Sequence, residues 1–349
     1  MRILMIGGTG LTGPHIARRL HAQGHTLLLF HRGQTQADLP AEIAHLSGDR
    51  RELAPHAAAL AGFAPEVVVD MALVTAQDAW DVMCLFRGVA RRVVAISSQD
   101  VYRAYGRLIG TEPGPPDGVP LDEDAPLREK LHPYRARASG PDNIMFHYDK
   151  ILVERLILGD PRLPGTVLRY PLVYGPRDRQ HRLFPYLKRM DDARPAILLG
   201  EGQARWRWTK GYAEDMAAAA VLAILADRAA GRVYNVGEER ALSEAEWVAA
   251  IAGATGWRGR IAALPQERLP RHLAEEMDCS QDLVTDTRRI REELGYREET
   301  DPAEALRRTI DWERAHPPDP IDAESFEYAA EDRALADCGL GRERLGAQS

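Results

Sequence analysis

The chain opens on Arg2-Ile3-Leu4-Met5-Ile6, an apolar run without alternation. Such a run suits a strand buried on both faces. Gly7-Gly8-Thr9-Gly10-Leu11-Thr12-Gly13 follows at once, and Ile16, Ala17 and Leu20 then recur at helical spacing as far as Gly24. Thr26-Leu27-Leu28-Leu29-Phe30 is a second continuous apolar run. Strand, glycine turn, helix and strand within about thirty residues make a βαβ unit of the kind that binds dinucleotides.

The glycines are spaced Gly7-x-x-Gly10-x-x-Gly13. One makes the tight turn, one lets the backbone approach a pyrophosphate, and one lets the helix pack close to the strand. The helix N-terminus then turns N–H groups and a partial positive charge toward the phosphates. Gly7, Thr9, Gly10, Leu11 and Gly13 are therefore the expected cofactor-binding turn. NAD binders usually end the second strand with an acid that holds the ribose 2′-hydroxyl. Here the chain reads Phe30-His31-Arg32-Gly33, with no acid and with an arginine able to pair a 2′-phosphate. The expected cofactor is NADP, with NAD as the alternative; Arg32 as a plain solvated loop residue is the competing reading.

Composition narrows the class. With 349 residues, 45% of them hydrophobic, the chain has enough for a sizeable core in two domains or one elaborated domain. No apolar run reaches the ~18 residues of a membrane span, and no secretory signal opens the sequence. A net charge of −7 without a basic stripe argues against nucleic acid. Three scattered cysteines, Cys84, Cys279 and Cys338, argue against a disulfide framework or a zinc site and fit a reducing cytoplasm. The expected location is cytoplasmic, the expected partner a small-molecule substrate, and no metal is expected; a homodimer is left open.

Further motifs resemble, in order and spacing, those of the extended short-chain dehydrogenase/reductases, the NAD-dependent epimerase/dehydratase group. Gly48-Asp49 resembles the family's Gly-Asp, whose acid contacts adenine. Val67-Val68-Val69-Asp70-Met71-Ala72 resembles the strand and loop under the cofactor. Val93 to Ser97-Ser98-Gln99-Asp100-Val101-Tyr102 resembles the strand carrying the catalytic Ser or Thr. Thr166 to Tyr170-Pro171 and on to Pro176 resembles the start of the substrate-binding half. Tyr212-Ala213-Glu214-Asp215, Val233 to Gly237, and Asp286 to Trp312 resemble later landmarks. The resemblance runs from about residue 1 to about residue 315. It implies an α/β doubly wound Rossmann parallel sheet with a smaller C-terminal substrate-binding subdomain. It also implies cofactor contacts at Asp49, Met71, Ala72, Lys150 and Tyr170, and catalytic roles for Ser98, Lys150 and a nearby proton donor.

The family's Tyr-x-x-x-Lys pair is broken. Lys150 is present, but Phe146 stands where the tyrosine belongs, and none of the 11 tyrosines has a lysine four residues later. If Tyr148 and Lys150 shared one helix they would point roughly 200° apart. If the helix starts near Asp149, Tyr148 precedes its first turn and can swing into the site. His147 is another candidate acid or base, Asp100 a second candidate base, and simple packing or capping by Tyr148 and His147 the alternative. Phe146 is expected to pack under the nicotinamide side of the helix.

The expected division is a cofactor domain over 1–174, a mainly substrate-binding subdomain over 175–320 interleaved with it, and a polar helical tail over 321–349 that suits an oligomer contact. The Pro- and Gly-rich stretch within 103–147 reads as a lid, or else as disorder. Arg177, Arg179, Arg182, Arg205 and Arg207 are candidate anion binders. Trp206 and Trp208, two apart, share a face if that segment is a strand. The expected activity is that of an NAD(P)-dependent oxidoreductase, epimerase or dehydratase on a small polar, nucleotide-linked or free substrate. The rival class is a redox-inactive NADP-binding regulator or an RNA-binding relative.

Overall fold

The computed structural model describes residues 1–35 and 37–340. Eleven strands are formed among them: Arg2–Ile6 (β1), Thr26–His31 (β2), Ala44–Ser47 (β3), Val67–Asp70 (β4), Arg92–Ser98 (β5), Gly165–Tyr170 (β6), Leu172–Tyr174 (β7), Ala196–Gly200 (β8), Lys210–Tyr212 (β9), Val233–Asn235 (β10) and Arg260–Leu264 (β11). Seven make one sheet in the order β3-β2-β1-β4-β5-β6-β10, every pairing parallel. This is the doubly wound arrangement, in which ligands sit outside the carboxyl ends of the strands where the order reverses. The reversal falls between β1 and β4.

The unalternating apolar runs have their explanation in the two faces. Ile3 and Met5 of β1 join Ile16 and Leu20 of the helix Gly13–Ala22 and Ala217 and Ala220 of the helix Ala213–Leu225 in one core. Leu4 and Ile6 turn the other way, to Val82 and Phe86 of the helix Ala76–Phe86 and Val153 and Ile157 of the helix Lys150–Leu158. A strand covered on both sides has no polar face to keep.

The later half builds a smaller body with its own core around Leu187, Ile197, Trp247, Ile251 and Ile310, and two short parallel pairs, β8 with β11 and β7 with β9. No helix among the described residues is long and apolar enough to cross a membrane.

Two peripheral segments are more ordered than their composition suggests. The 103–147 stretch is pinned to the body. Asp117 is held by Arg103 and Arg107 at 2.7 and 2.6 Å. Leu121 is bridged to Thr285, and buried Glu123 accepts from the Asn235 amide at 2.9 Å. The tail forms a helix, Tyr328–Asp337, whose Ala334 and Leu335 pack on Ala196, Leu198, Ala262 and Leu264 of β8 and β11. Its apolar face is spent on its own chain; the expected tail beyond Leu340 lies outside the described residues.

Candidate active site

The glycine turn leaves β1 with Gly7 at φ +88° and Gly8 at φ +93°, a conformation that side chains resist. Gly8 is thus part of the turn, although only Gly7, Gly10 and Gly13 fit the motif spacing. A Cβ on Gly13 would lie 2.4 Å from the Gly8 Cα, whereas one on Gly10 would meet nothing within 4 Å. Gly13 serves the fold, and Gly10 faces open space. That space is a cleft of about 600 Å³ lined by Thr9, Gly10, Leu11, Arg177, Arg179 and Trp312, among others. Thr12 precedes the helix without making a side-chain cap, and Pro14 stands in its first turn.

Two other expected cofactor residues flank this turn. Met71 and Ala72 pass beside Gly7, at 3.5 and 3.7 Å from where its Cβ would be. They are held there by Asp70, which accepts from the Ala72 amide at 2.9 Å and pairs with Arg50 at 2.8 Å. Arg50 and Asp70 are both buried; no motif revealed this pair. Asp49 follows the end of β3. Hydrogen bonds from Arg51 hold its carboxyl down at about 2. Arg32 is exposed just past β2, close enough to Asp49 to help lower its carboxyl.

A second cavity of about 690 Å³ opens at the ends of β5 and β6 and shares Gln180 and Arg182 with the first. Ser98, Asp100, Tyr148 and Tyr170 all line it. Ser98 is the last residue of β5, and its hydroxyl accepts from the Asp100 amide at 3.2 Å. Asp100 is 4% exposed. Its Oδ2 accepts the Tyr148 hydroxyl at 2.5 Å and the Tyr134 hydroxyl at 3.2 Å, and Tyr134 in turn meets Tyr105 at 2.8 Å. Asp100 Oδ1 has no hydrogen-bond partner among the described residues. Burial raises the Asp100 carboxyl above its ordinary range, against the pull of Tyr148, Arg128 and Lys150. Burial, with the Asp100 charge behind it, pushes the Tyr148 phenol well above 10.

The backbone explains how Tyr148 arrives there. A short helix, Ile144–His147, stops, and the next begins at Lys150 with Asp149 as its cap. Asp149 accepts from the Ile151 amide at 2.9 Å and the His132 amide at 2.5 Å, and its own amide donates to Val74 at 3.1 Å. Tyr148 therefore lies outside both helices and is not bound by their geometry. Phe146 does not pack under a nicotinamide site: its ring lies beneath the Arg135 guanidinium at 4.7 Å, away from the cavity lining. His147 bonds the Pro141 carbonyl at 3.0 Å on the surface.

Lys150 is buried, and its ammonium donates to the carbonyls of Leu73 and Ile96, the latter at 2.9 Å. An ammonium has three donors, so one remains. Burial lowers its pKa from the usual value, partly offset by Asp100 and Asp70. The Tyr170 hydroxyl is spent on the Met216 carbonyl at 2.9 Å, leaving its ring as a wall. Of the five arginines expected to bind anions, Arg177 and Arg179 line the first cleft and Arg182 lines both, while Arg205 and Arg207 line neither. Trp208 faces the second cavity; Trp206 is buried and donates to the Gln281 carbonyl at 2.9 Å.

The chain is similar to several known proteins. The 2′-dehydrokanamycin reductase of Streptomyces kanamyceticus is 25% identical over 297 residues, 82% of this chain and 75% of that protein. The UDP-N-acetyl-alpha-D-glucosaminuronate decarboxylase of Bacillus cytotoxicus is 24% identical over 343 residues, 90% of this chain and 98% of that one. Among solved structures, the UDP-glucuronic acid 4-epimerase of Bacillus cereus, in complex with UDP-glucuronic acid and NAD, superposes with a TM-score of 0.66 at 18% identity, covering 90% of this chain and 99% of that one. Residues 3–237 match the NAD dependent epimerase/dehydratase family, and the chain belongs to that family.

Proposed function

We propose that the protein uses NADP in preference to NAD, and acts on a hydroxyl-bearing or carbonyl carbon of a small, polar, sugar-like substrate. The observation that carries this reading is the adjacency of two cavities, one at the glycine turn and one around Ser98, Asp100 and Tyr148. The residues present fit a dinucleotide: the Gly10 side of the turn is open, the helix start is uncapped, and Arg32 stands where an acid would select NAD. Thr9, Gly10 and Leu11 would hold the pyrophosphate, Gly13 would let the helix pack close to the turn, and Asp49 would hold the adenine, Met71 and Ala72 the inner edge, and the remaining Lys150 donor the ribose. When bound, the nicotinamide supplies hydride transfer. The chain's own residues supply the rest. Ser98 hydrogen-bonds the reacting oxygen. Tyr148, kept neutral by its raised pKa, passes a proton between that oxygen and Asp100. The 103–147 segment, through Tyr105, Tyr134 and Met145, walls the cavity from water as a lid. An acid–base pair inside the cavity favours an enzyme over a redox-inactive regulator.

Calorimetric titration with NADP and NAD tests the cofactor. Arg32 paired to a 2′-phosphate is a charged hydrogen bond of roughly 1.5–3 kcal/mol, so NADP should bind about ten- to hundredfold more tightly. Arg32→Ala should erase that preference. Equal affinities in the wild type, or a preference that survives the substitution, overturns the assignment.

A further inference from the structure

The charges lining the substrate cavity do not suit a diphosphate. Its two arginines are already neutralised from within. Arg189, 3% exposed, meets Glu331 at 2.6 and 3.0 Å and gives two further donors to the Pro185 and Ser325 carbonyls at 2.8 and 2.9 Å. Arg182 meets Asp178 at 2.7 Å and the Val173 carbonyl at 3.0 Å. His272, also in the lining, bonds the same Glu331 oxygen at 3.1 Å. The acids of the lining are less well matched. Glu244 has Lys210 at 3.3 Å and the Tyr186 hydroxyl at 2.7 Å. Glu275 has only the neutral Gln203 amide, at 2.7 Å, and among the described residues it forms no ion pair. The charges that act on it most, Glu244 and Glu276, are both negative. Independently, buried Asp100 of the same lining has an oxygen with no hydrogen-bond partner among the described residues. Tyr105, Tyr134, Tyr186 and Trp208 complete the lining with aromatic faces.

A dianionic diphosphate would compete with Glu331 for Arg189 and with Asp178 for Arg182, and would lie against Glu275. Breaking such pairs leaves a buried charge uncompensated. A protonated amine meets the opposite conditions: a carboxylate without a cation, and aromatic faces that attract positive charge. We infer that the substrate is a polyhydroxylated ring bearing at least one ammonium group, recognised by Glu275 with Glu244, and is not a nucleoside diphosphate sugar. This rests on the proposed hydride-transfer role and names its substrate class.

The test is binding to the cofactor-loaded full chain, read by calorimetry. The probes are glucosamine, 2-deoxystreptamine and kanamycin, the fully N-acetylated form of each, and UDP-glucose. The free amines should include a binder at least tenfold tighter than both its acetylated form and UDP-glucose, and its affinity should weaken as salt rises. Glu275→Gln should reduce that affinity at least tenfold and leave NADP affinity unchanged. The inference falls if UDP-glucose is the tightest ligand, if acetylation or Glu275→Gln makes no difference, or if none of the amines binds. Turnover separates the two readings. Hydride transfer to or from UDP-glucose but no amine sinks this inference and keeps the enzyme reading. Amine binding as described, with no hydride transfer to or from any compound, keeps the inference and sinks the proposed reaction.

Discussion

Tyr148 and Asp100, 48 residues apart and joined at 2.5 Å, are the acid–base pair of the proposed reaction, and they differ from a tyrosine paired with a lysine on one helix. A neighbouring ammonium would lower the phenol; here burial and the Asp100 charge raise it. In the proposed reaction Tyr148 is a protonated donor whose proton is replaced from, or passed on to, Asp100. Tyr148→Phe should lower turnover by the ~10²–10⁴ typical of a lost general acid or base, with cofactor affinity little changed. The pH dependence has a definite sign. Oxidation of a hydroxyl needs ionised Asp100, so kcat/KM should fall as pH drops through the Asp100 pKa. That limb should lie above the ordinary carboxylate range, because burial raises the group. Reduction of a carbonyl needs the protonated acid, so its kcat/KM should fall as pH rises through the same value. Profiles measured in both directions check this, and Asp100→Asn should remove the limb from each. A limb that survives in Asp100→Asn assigns the titration to another group.

At the scale of single elements, the glycine turn makes a separable prediction. Gly13→Ala puts a methyl against the Gly8 backbone and should cost about 1–3 kcal/mol, the range of overpacking. Gly10→Val places its side chain in the open cleft, so the chain should melt normally but lose cofactor binding. Thermal melts by circular dichroism, beside NADP titration, distinguish the two; normal binding by Gly10→Val would reduce the motif to a structural turn. This turn and the sheet around it were legible because their signals are local: apolar runs, glycine spacing and helical periodicity all lie within a few residues. The helix break before Lys150 was legible only as one of two options. What decides it is Asp149, whose carboxylate takes amides from Ile151 and from His132, the latter 17 residues away. Phe146 was misplaced for the same reason, since Arg135 on the neighbouring segment holds its ring. The choice of Asp100 as partner for Tyr148, the buried Arg50–Asp70 pair and the place of Arg189 are long-range pairings, which no spacing rule encodes.

At the scale of the whole molecule, the two halves depend on different cores, and the tail belongs to the second. Glu331 of the tail helix is 0% exposed and reaches Arg189 across 142 residues of sequence and His272 across 59. Both partners line the proposed substrate cavity, so a segment that composition marks as a surface tail fixes part of that cavity's lining. Glu331→Ala removes one partner of a buried ion pair and leaves Arg189 uncompensated, a loss of about 3–5 kcal/mol. Glu331→Gln keeps the shape and a hydrogen-bond acceptor, and should cost less. The glycine turn of the cofactor cleft is built on the cores around β1, which exclude the tail, so both variants should bind NADP as the wild type does while still folded. Their substrate KM should rise, because freed Arg189 and His272 side chains no longer present a fixed wall. Denaturant melts, NADP titration and steady-state kinetics together check this. Unchanged KM in Glu331→Ala, alongside the expected stability loss, would make the tail a brace for the fold with no hold on the substrate.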